Sequence, residues 1–296
     1  MASIRIGISG WQYKPWRGVF YPPDLPQRAE LQYASRKLSS IEINGSFYAL
    51  QRPESYARWY AETPADFVFT VKGPRFITHM RRLREVEEPL ANFLASGLFN
   101  LRDKLGPILW QLPPNFKYER ARIAAFLALL PHDTDAARTI ARKRSTAFMK
   151  GRTCLATGAT RALRHAMEIR HESFLEPSFV ALLREYNVAL VIAETARRWP
   201  MAHDISADFV YMRLHGDKQL YRSGYQDAAL TRWARRIRAW HRGSQPGDAQ
   251  RISEHKAPKA KSRDVYCFFD NTDVKLRAPR DAQTLMKKLG LASPDA

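Results

Sequence analysis

The feature that most constrains this chain is an alternation. Short apolar runs and amphipathic stretches take turns along its 296 residues, the pattern of βα units laid around a parallel sheet. Strands are expected at 4–9, 40–44, 67–72, 108–112, 166–170, 188–193, 209–214 and 265–269. Helices are expected at 28–37, 53–61, 86–104, 119–130, 178–186, 228–240 and 281–289, the second opened by Pro53 in its first turn. Eight strands interleaved with helices match a closed α/β barrel of the (β/α)8 TIM type, as a single domain over 1–296. An open doubly wound sheet is the competitor. It normally carries a Gly-rich phosphate turn after its first strand, and Gly7-Ile8-Ser9-Gly10 is not that turn.

Barrel strands are covered on both faces, so polar side chains on them need a reason. Residues i and i+2 share a face. Three same-face pairs end strands: Glu42 with Asn44, Glu168 with Arg170, and Arg213 with His215. Lys72 ends the third strand, Gln111 lies near the end of the fourth, Glu194 follows the sixth, and Asp270-Asn271 follows the eighth. All fall at C-terminal strand ends, where barrel enzymes collect their chemistry. Taken singly, such residues are more often loop anchors or ion-pair partners. Together they would cost several kcal/mol each to bury unless they neutralise one another or bind something, which favours one shared pocket. His79 follows Lys72 in the same loop and is placed to reach the mouth, with a plain surface histidine as the alternative. In the aromatic loop 10–26, Trp11 and Tyr13 are candidates to line the pocket, while Trp16 and Phe20 read as a small satellite core.

There is no HExxH, CxxC or EF-hand loop, and no GxSxG. Glu42, Glu168, Glu194, Asp270 and His215 are the right donor types for a divalent cation, but Lys72, Arg170 and Arg213 at the same mouth would repel it. No metal and no cofactor is expected.

The 48 Lys and Arg outnumber the 29 Asp and Glu, for a net charge of +19. More than half of that excess sits in two stretches. Residues 133–165 hold Arg138, Arg142, Lys143, Arg144, Lys150, Arg152, Arg161 and Arg164 against Asp133 and Asp135. Residues 242–263 hold Arg242, Arg251, Lys256, Lys259, Lys261 and Arg263 against Asp248 and Glu254. Both have loop-like composition, so they read as basic insertions, about 133–163 and 242–263, on a more neutral body. Such charge attracts nucleic acid or small anions; a solvated surface explains it equally well. A 45% hydrophobic content argues against disorder. No apolar run approaches the ~18 residues of a membrane span, and Arg5 interrupts what would be a leader segment. Cys154 and Cys267 alone cannot build a disulfide framework. The expectation is a soluble, cytoplasmic protein without membrane partners; nothing in the sequence sets its oligomeric state.

The same residues carry a family likeness. Gly10-Trp11-Gln12-Tyr13, Trp16-Arg17-Gly18-Val19-Phe20-Tyr21-Pro22, Glu42-Ile43-Asn44-Gly45-Ser46-Phe47-Tyr48 and Phe67-Val68-Phe69-Thr70-Val71-Lys72 resemble successive blocks of the YecE-like family, domain of unknown function 72. The likeness continues through Thr78-His79, Leu109-Trp110-Gln111-Leu112-Pro113-Pro114-Asn115, Glu168-Ile169-Arg170-His171-Glu172-Ser173-Phe174, Tyr211-Met212-Arg213-Leu214-His215-Gly216 and Phe268-Phe269-Asp270-Asn271. The resemblance implies a TIM barrel with a polar pocket at the strand ends and supplies no reaction. Two departures stand out: Glu194 where the family usually has aspartate, and Asp270-Asn271 where it usually has Asn-Asn.

Three functions compete. The first is an enzyme acting on an anionic, phosphorylated or carboxylated, small molecule. Lys72, Arg170 and Arg213 would hold the anion, near Gly216 where many barrels bind phosphate, and Glu42 or Glu168 would act as general acid or base. Lys72 and Asp270 complete the catalytic candidates; Trp11, Tyr13, Asn44, His79, Gln111, His215, Glu194 and Asn271 would contact substrate. The second is a nucleic-acid-binding or phosphodiester-hydrolysing protein gripping backbone phosphates with its basic insertions. The third is a non-catalytic ligand-binding barrel.

Overall fold

A computed structural model describes residues 2–270 and 276–292. Its core is one parallel sheet of nine segments in the order β6-β5-β4-β3-β2-β1-β9-β8-β7. These are β1 (Ile4–Ser9), β2 (Ser40–Ile43), β3 (Val68–Lys72), β4 (Leu105–Gln111), β5 (His165–Glu168), β6 (Val188–Leu190), β7 (Ile192–Glu194), β8 (Phe209–Leu214) and β9 (Asp264–Phe269). The two ends of the order, β6 and β7, are halves of the expected sixth strand. Leu190 and the residues before it pair with β5, Ile192 and those after it pair with β8, and Val191 joins them. The ladder therefore runs round on itself as a TIM-type barrel. The helices are α1 (Glu30–Lys37), α2 (Gly45–Tyr48), α3 (Pro53–Glu62), α4 (Glu87–Ala95), α5 (Arg120–Leu129), α6 (Thr134–Ala141), α7 (Pro177–Glu185), α8 (Asp227–His241) and α9 (Ala278–Leu289).

Strand parity sorts the side chains into two compartments. Leu109, Ala166, Ala189, Val191, Ala193, Phe209, Tyr211, Tyr266 and Phe268 pack together inside the barrel. The alternate residues face outwards into a larger core against the helices, among them Ile6, Ile8, Trp110, Met167, Met212 and Phe269. The small side chains of the sixth strand leave room for the aromatic rings of β8 and β9, so the lumen is filled rather than open.

Three expectations are corrected. The helix expected over 86–104 breaks after Ala95: Gly97 takes φ +91, and a Cβ there would lie 2.4 Å from the Pro53 backbone, so only glycine fits. A 3-10 turn, Leu98–Lys104, completes the segment. The first basic stretch is not a plain loop, because Asp133 caps α6 by accepting from the Ala136 amide at 2.7 Å. The chain then runs along α4, anchored by the Ser145 amide on Asn92 Oδ1 at 2.9 Å and by the Cys154 amide on the Ala95 carbonyl at 2.9 Å.

The second basic stretch is also tied down. No helix separates β7 from β8; the segment 195–208 is irregular, and His203 and Asp204 within it are buried. The Asp204 carboxylate accepts from the Ile252 amide at 2.6 Å and the Ser253 amide at 3.0 Å, and His203 exchanges hydrogen bonds with Gln250. Residues 250–253 thus close the gap beside the missing helix, which is a structural task for part of a stretch expected to be a loop on the body.

Candidate functional site

Above the aromatic layer the lumen turns polar. Each strand that contributes does so by the same parity: Tyr211 is followed by Arg213 on β8, Thr70 by Lys72 on β3, Leu109 by Gln111 on β4, and Phe268 by Asp270 after β9. The centre is Arg213, fully buried. Its guanidinium donates to Glu42 through Nη2 at 2.9 Å and Nε at 3.1 Å, to Glu168 through Nη1 at 2.7 Å, and to Asp270 through Nη2 at 2.9 Å. It stands where a divalent cation among three carboxylates would have to sit. Glu42 is further saturated by the Tyr211 hydroxyl at 2.6 Å and the Ser9 hydroxyl at 3.0 Å. Glu168 also receives Arg170 Nε at 2.8 Å, and Arg170 reaches Gln111 Oε1 at 2.9 Å while its guanidinium lies 3.9 Å from the Trp199 ring centre. His215 Nδ1 is 3.2 Å from Asp270 Oδ2.

These contacts set the proton affinities. Burial pushes Glu168 up, but Arg170 and Arg213 outweigh it and hold the carboxyl far below the usual range. Asp270 ends at about 2 for the same reason, with burial opposed chiefly by Arg213 and then by His215. Burial, reinforced by Arg213, keeps His215 below its ordinary value and therefore neutral at pH 7. Lys72 is different. Burial and then Arg213 lower it to about 8, against the pull of Glu42, Glu168 and Asp270. Among the described residues its ammonium has no carboxylate within ion-pair distance; it lies 4.3 Å from the Phe47 ring centre.

Lys72 opens onto a cleft of about 550 Å³ at the strand ends, lined also by Ser9, Tyr13, Asn44, His79, Gln111, Arg170, Tyr221 and Asp270. Asn44 Oδ1 is buried without a hydrogen-bond partner among the described residues. His79 is lowered to about 4 by burial and then by Lys72 and Arg170, so it is a neutral wall of this cleft. The cleft and the Arg213 cluster bring together Glu42, Lys72, Asn44, His79, Gln111, Glu168, Arg170, Arg213, His215, Asp270 and Tyr13.

Two expected members lie elsewhere. Trp11 turns away from the mouth and packs edge-on against Trp59 at 5.2 Å and near Phe69 at 6.4 Å, in the outer core. Glu194 follows lumen-facing Ala193 and so points outwards; it accepts from Trp233 Nε1 at 2.8 Å and borders, with Arg232 and Arg236, a second cleft that shares Arg170 with the mouth. Asn271 lies outside the described residues. The Gly216 amide donates to the Tyr225 hydroxyl at 3.1 Å, so it is already engaged rather than offered to a phosphate. Ser9, Thr70 and Tyr211 belong to the same site and are reached by the same i, i+2 rule, whereas Phe47, Trp199 and Tyr221 come from segments without strand periodicity.

Known proteins agree with this fold. The chain is 32% identical over 126 residues to UPF0759 protein YunF of Bacillus subtilis (strain 168) and 30% identical over 113 residues to UPF0759 protein YecE of Escherichia coli (strain K12). Those alignments take in 41% and 38% of this chain and only 44% and 39% of the two relatives. A DUF72 family protein from Thermotoga maritima MSB8 superposes over 97% of this chain and 99% of its own, with a TM-score of 0.71 at 22% identity. A DUF72 family protein from Enterococcus faecalis V583 covers 98% and 96%, with a TM-score of 0.68 at 18% identity. At those identities the likeness concerns the fold alone. The model of the protein of unknown function DUF72 matches residues 5–296, nearly the whole length, and the chain belongs to that family.

Proposed function

We propose that this protein is an enzyme that binds a small anionic substrate over the barrel mouth and moves a proton on it with Lys72. One observation carries the reading: Lys72 is a buried amine with a lowered proton affinity, opening onto a cleft, with no carboxylate in ion-pair contact among the described residues. Glu42 and Glu168 fit the role of acid or base less well. Glu168 stays ionised and holds two arginines, and both oxygens of Glu42 already accept hydrogen bonds. They are better suited to fixing Arg213 than to exchanging protons. A lysine near 8 is divided between amine and ammonium near neutral pH, the state a general base needs. Arg170 supports the anion, since it borders the same cleft and is held by the Trp199 ring beneath its guanidinium and by its hydrogen bond to Gln111. The chemistry we assign is abstraction of a proton from carbon beside a carbonyl or carboxylate. The electron pair left by the C–H bond delocalises onto the oxygen facing Arg170, and the proton passes to the Lys72 amine.

The test uses the whole chain in D2O with a panel of phosphorylated and carboxylated metabolites. Calorimetry reads binding, and mass spectrometry reads deuterium entering carbon positions. Wild-type protein should bind at least one anion and exchange it; Lys72→Met should abolish exchange, and Arg170→Met should weaken binding about tenfold or more. Binding without exchange would favour the non-catalytic barrel, and no binding of any anion would end the proposal.

A further inference from the structure

We infer that the mouth continues into an apolar subsite and that its ligand is an anionic amphiphile, with a carboxylate or phosphate head at Lys72 and Arg170 and a hydrocarbon or aryl tail in the neighbouring groove. This rests on the anion-binding reading above and narrows its substrate class. Six large hydrophobic side chains stand exposed among the described residues, and four of them line one groove: Tyr48 at 71%, Phe76 at 44%, Met80 at 61% and Phe148 at 59%. The groove measures about 610 Å³, within the size range of small-molecule sites. Of its lining side chains only Arg75, Glu88 and Arg152 are charged. An exposed apolar concavity of this kind marks a binding surface more often than chance packing.

The groove is joined to the mouth rather than merely near it. Phe47 and Tyr48 line both. The Phe47 ring takes the Lys72 ammonium at 4.3 Å, the His79 ring edge-on at 5.1 Å and the Tyr48 ring edge-on at 5.1 Å, so it is the shared wall. A single turn of π-helix, Phe76–Met80, supplies His79 to the mouth and Phe76, Ile77 and Met80 to the groove. Such turns are rare and recur at functional sites. The far wall comes from the first basic stretch, where Phe148 and Arg152 are carried back beside α4 by the Asn92 contact. An occupant that used only the groove would leave unexplained the neighbouring Lys72, which has no carboxylate within ion-pair distance among the described residues. One with an anionic head and an apolar tail accounts for both.

Calorimetric titration of the full chain with inorganic phosphate, butyl phosphate and octyl phosphate, below their micelle concentrations, tests this; butyrate and octanoate run in parallel show which head is preferred. In wild type the eight-carbon chain should bind at least tenfold tighter than the four-carbon chain, a conservative figure for four partly buried methylenes. Phe148→Ser with Met80→Ser, at exposed positions that leave the melting temperature unchanged, should reduce that advantage below threefold while leaving the affinity for inorganic phosphate within twofold. Lys72→Met should weaken both chain lengths alike. Equal affinities of the two chain lengths in wild type would overturn the subsite and leave anion binding standing. Octyl phosphate binding undiminished in Lys72→Met would overturn the shared ligand. Failure of every phosphate and carboxylate to bind would overturn both proposals.

Discussion

Replacing Glu168 by alanine probes what holds the mouth together. Glu168 is fully buried and joins two arginines, accepting from Arg213 Nη1 at 2.7 Å and Arg170 Nε at 2.8 Å. It is one of three carboxylates, with Glu42 and Asp270, that face Arg213, Arg170 and Lys72, so truncation leaves one positive charge uncompensated. Removing one partner of a buried ion pair costs ~3–5 kcal/mol. Arg213 keeps Glu42 and Asp270, and Arg170 keeps Gln111 and Trp199. The lower end therefore applies, about 3 kcal/mol, or a fall in Tm of roughly 5 °C for a chain of this size. Scanning calorimetry of Glu168→Ala and Glu168→Gln at pH 7 and pH 9 would read it. The deficit should be smaller at pH 9, because Lys72, near 8, can then shed the excess charge. A melt equal to or above wild type would refute the account, and would mean that the cluster stores strain for ligand binding instead of neutralising itself.

Acid should unfold the protein through the same groups. Glu168 and Asp270 are held below their ordinary values of 4.5 and 3.8, so their contribution is present above those values and is lost as pH falls towards about 2. Urea titrations should show stability declining through that window, and more weakly in Glu168→Gln; a flat profile in wild type would count against the ion-pair assignment. For the nucleic-acid alternative, Arg142, Lys143, Lys256 and Lys259 are exposed and can be neutralised without touching the Asp204 clasp, which a deletion of 242–263 would destroy. If they grip phosphates, each lost contact should lower the salt slope of duplex DNA retention by about 0.9 while anion binding at the mouth survives. Wild-type protein that shows no salt-dependent retention at low ionic strength would end that alternative.

What the sequence made legible follows from periodicity. Strands 4–9 and 209–214 match the structure at both ends because their alternation is tied to a lumen on one face and helices on the other. The sixth strand was placed but not its break at Val191, since pairing that passes from β5 to β8 leaves no mark in hydropathy. Helix α6 is hard to read because its buried face is made of Thr134, Ala137 and Ala141 rather than large apolar residues, although Asp133 ahead of Ala136-Ala137 is a usable capping signal. Parity likewise located the polar layer: Glu42, Glu168, Arg170, Arg213 and Gln111 share hydrogen bonds, and Lys72 faces the same cleft. It also explains the failure at Glu194, which is one residue out of phase with lumen-facing Ala193. Trp11 sits past a strand end, where parity has no authority. Trp199 and Tyr221 arrive from irregular segments, and only the folded chain brings them to Arg170 and His215.

The two central cations divide the work by how many partners each has. Arg213 is enclosed by three carboxylates above a buried layer of Tyr211, Phe268 and small side chains, so its charge is permanent and its geometry fixed before any ligand arrives. Lys72 lies beside the same carboxylates without an ion-pair contact to any of them, and burial makes its charge optional. With Lys72 protonated, the three carboxylates balance Arg213, Arg170 and Lys72; with it neutral, the cluster carries one excess negative charge. Negative charge that develops beside Lys72 therefore favours the ammonium, and by reciprocity the ammonium stabilises that charge. Such linkage ties proton uptake at Lys72 to negative charge in the cleft. A base that gains its proton as negative charge develops beside it is stabilised by that charge at the moment of transfer, which an arginine at position 72, always protonated, could not supply.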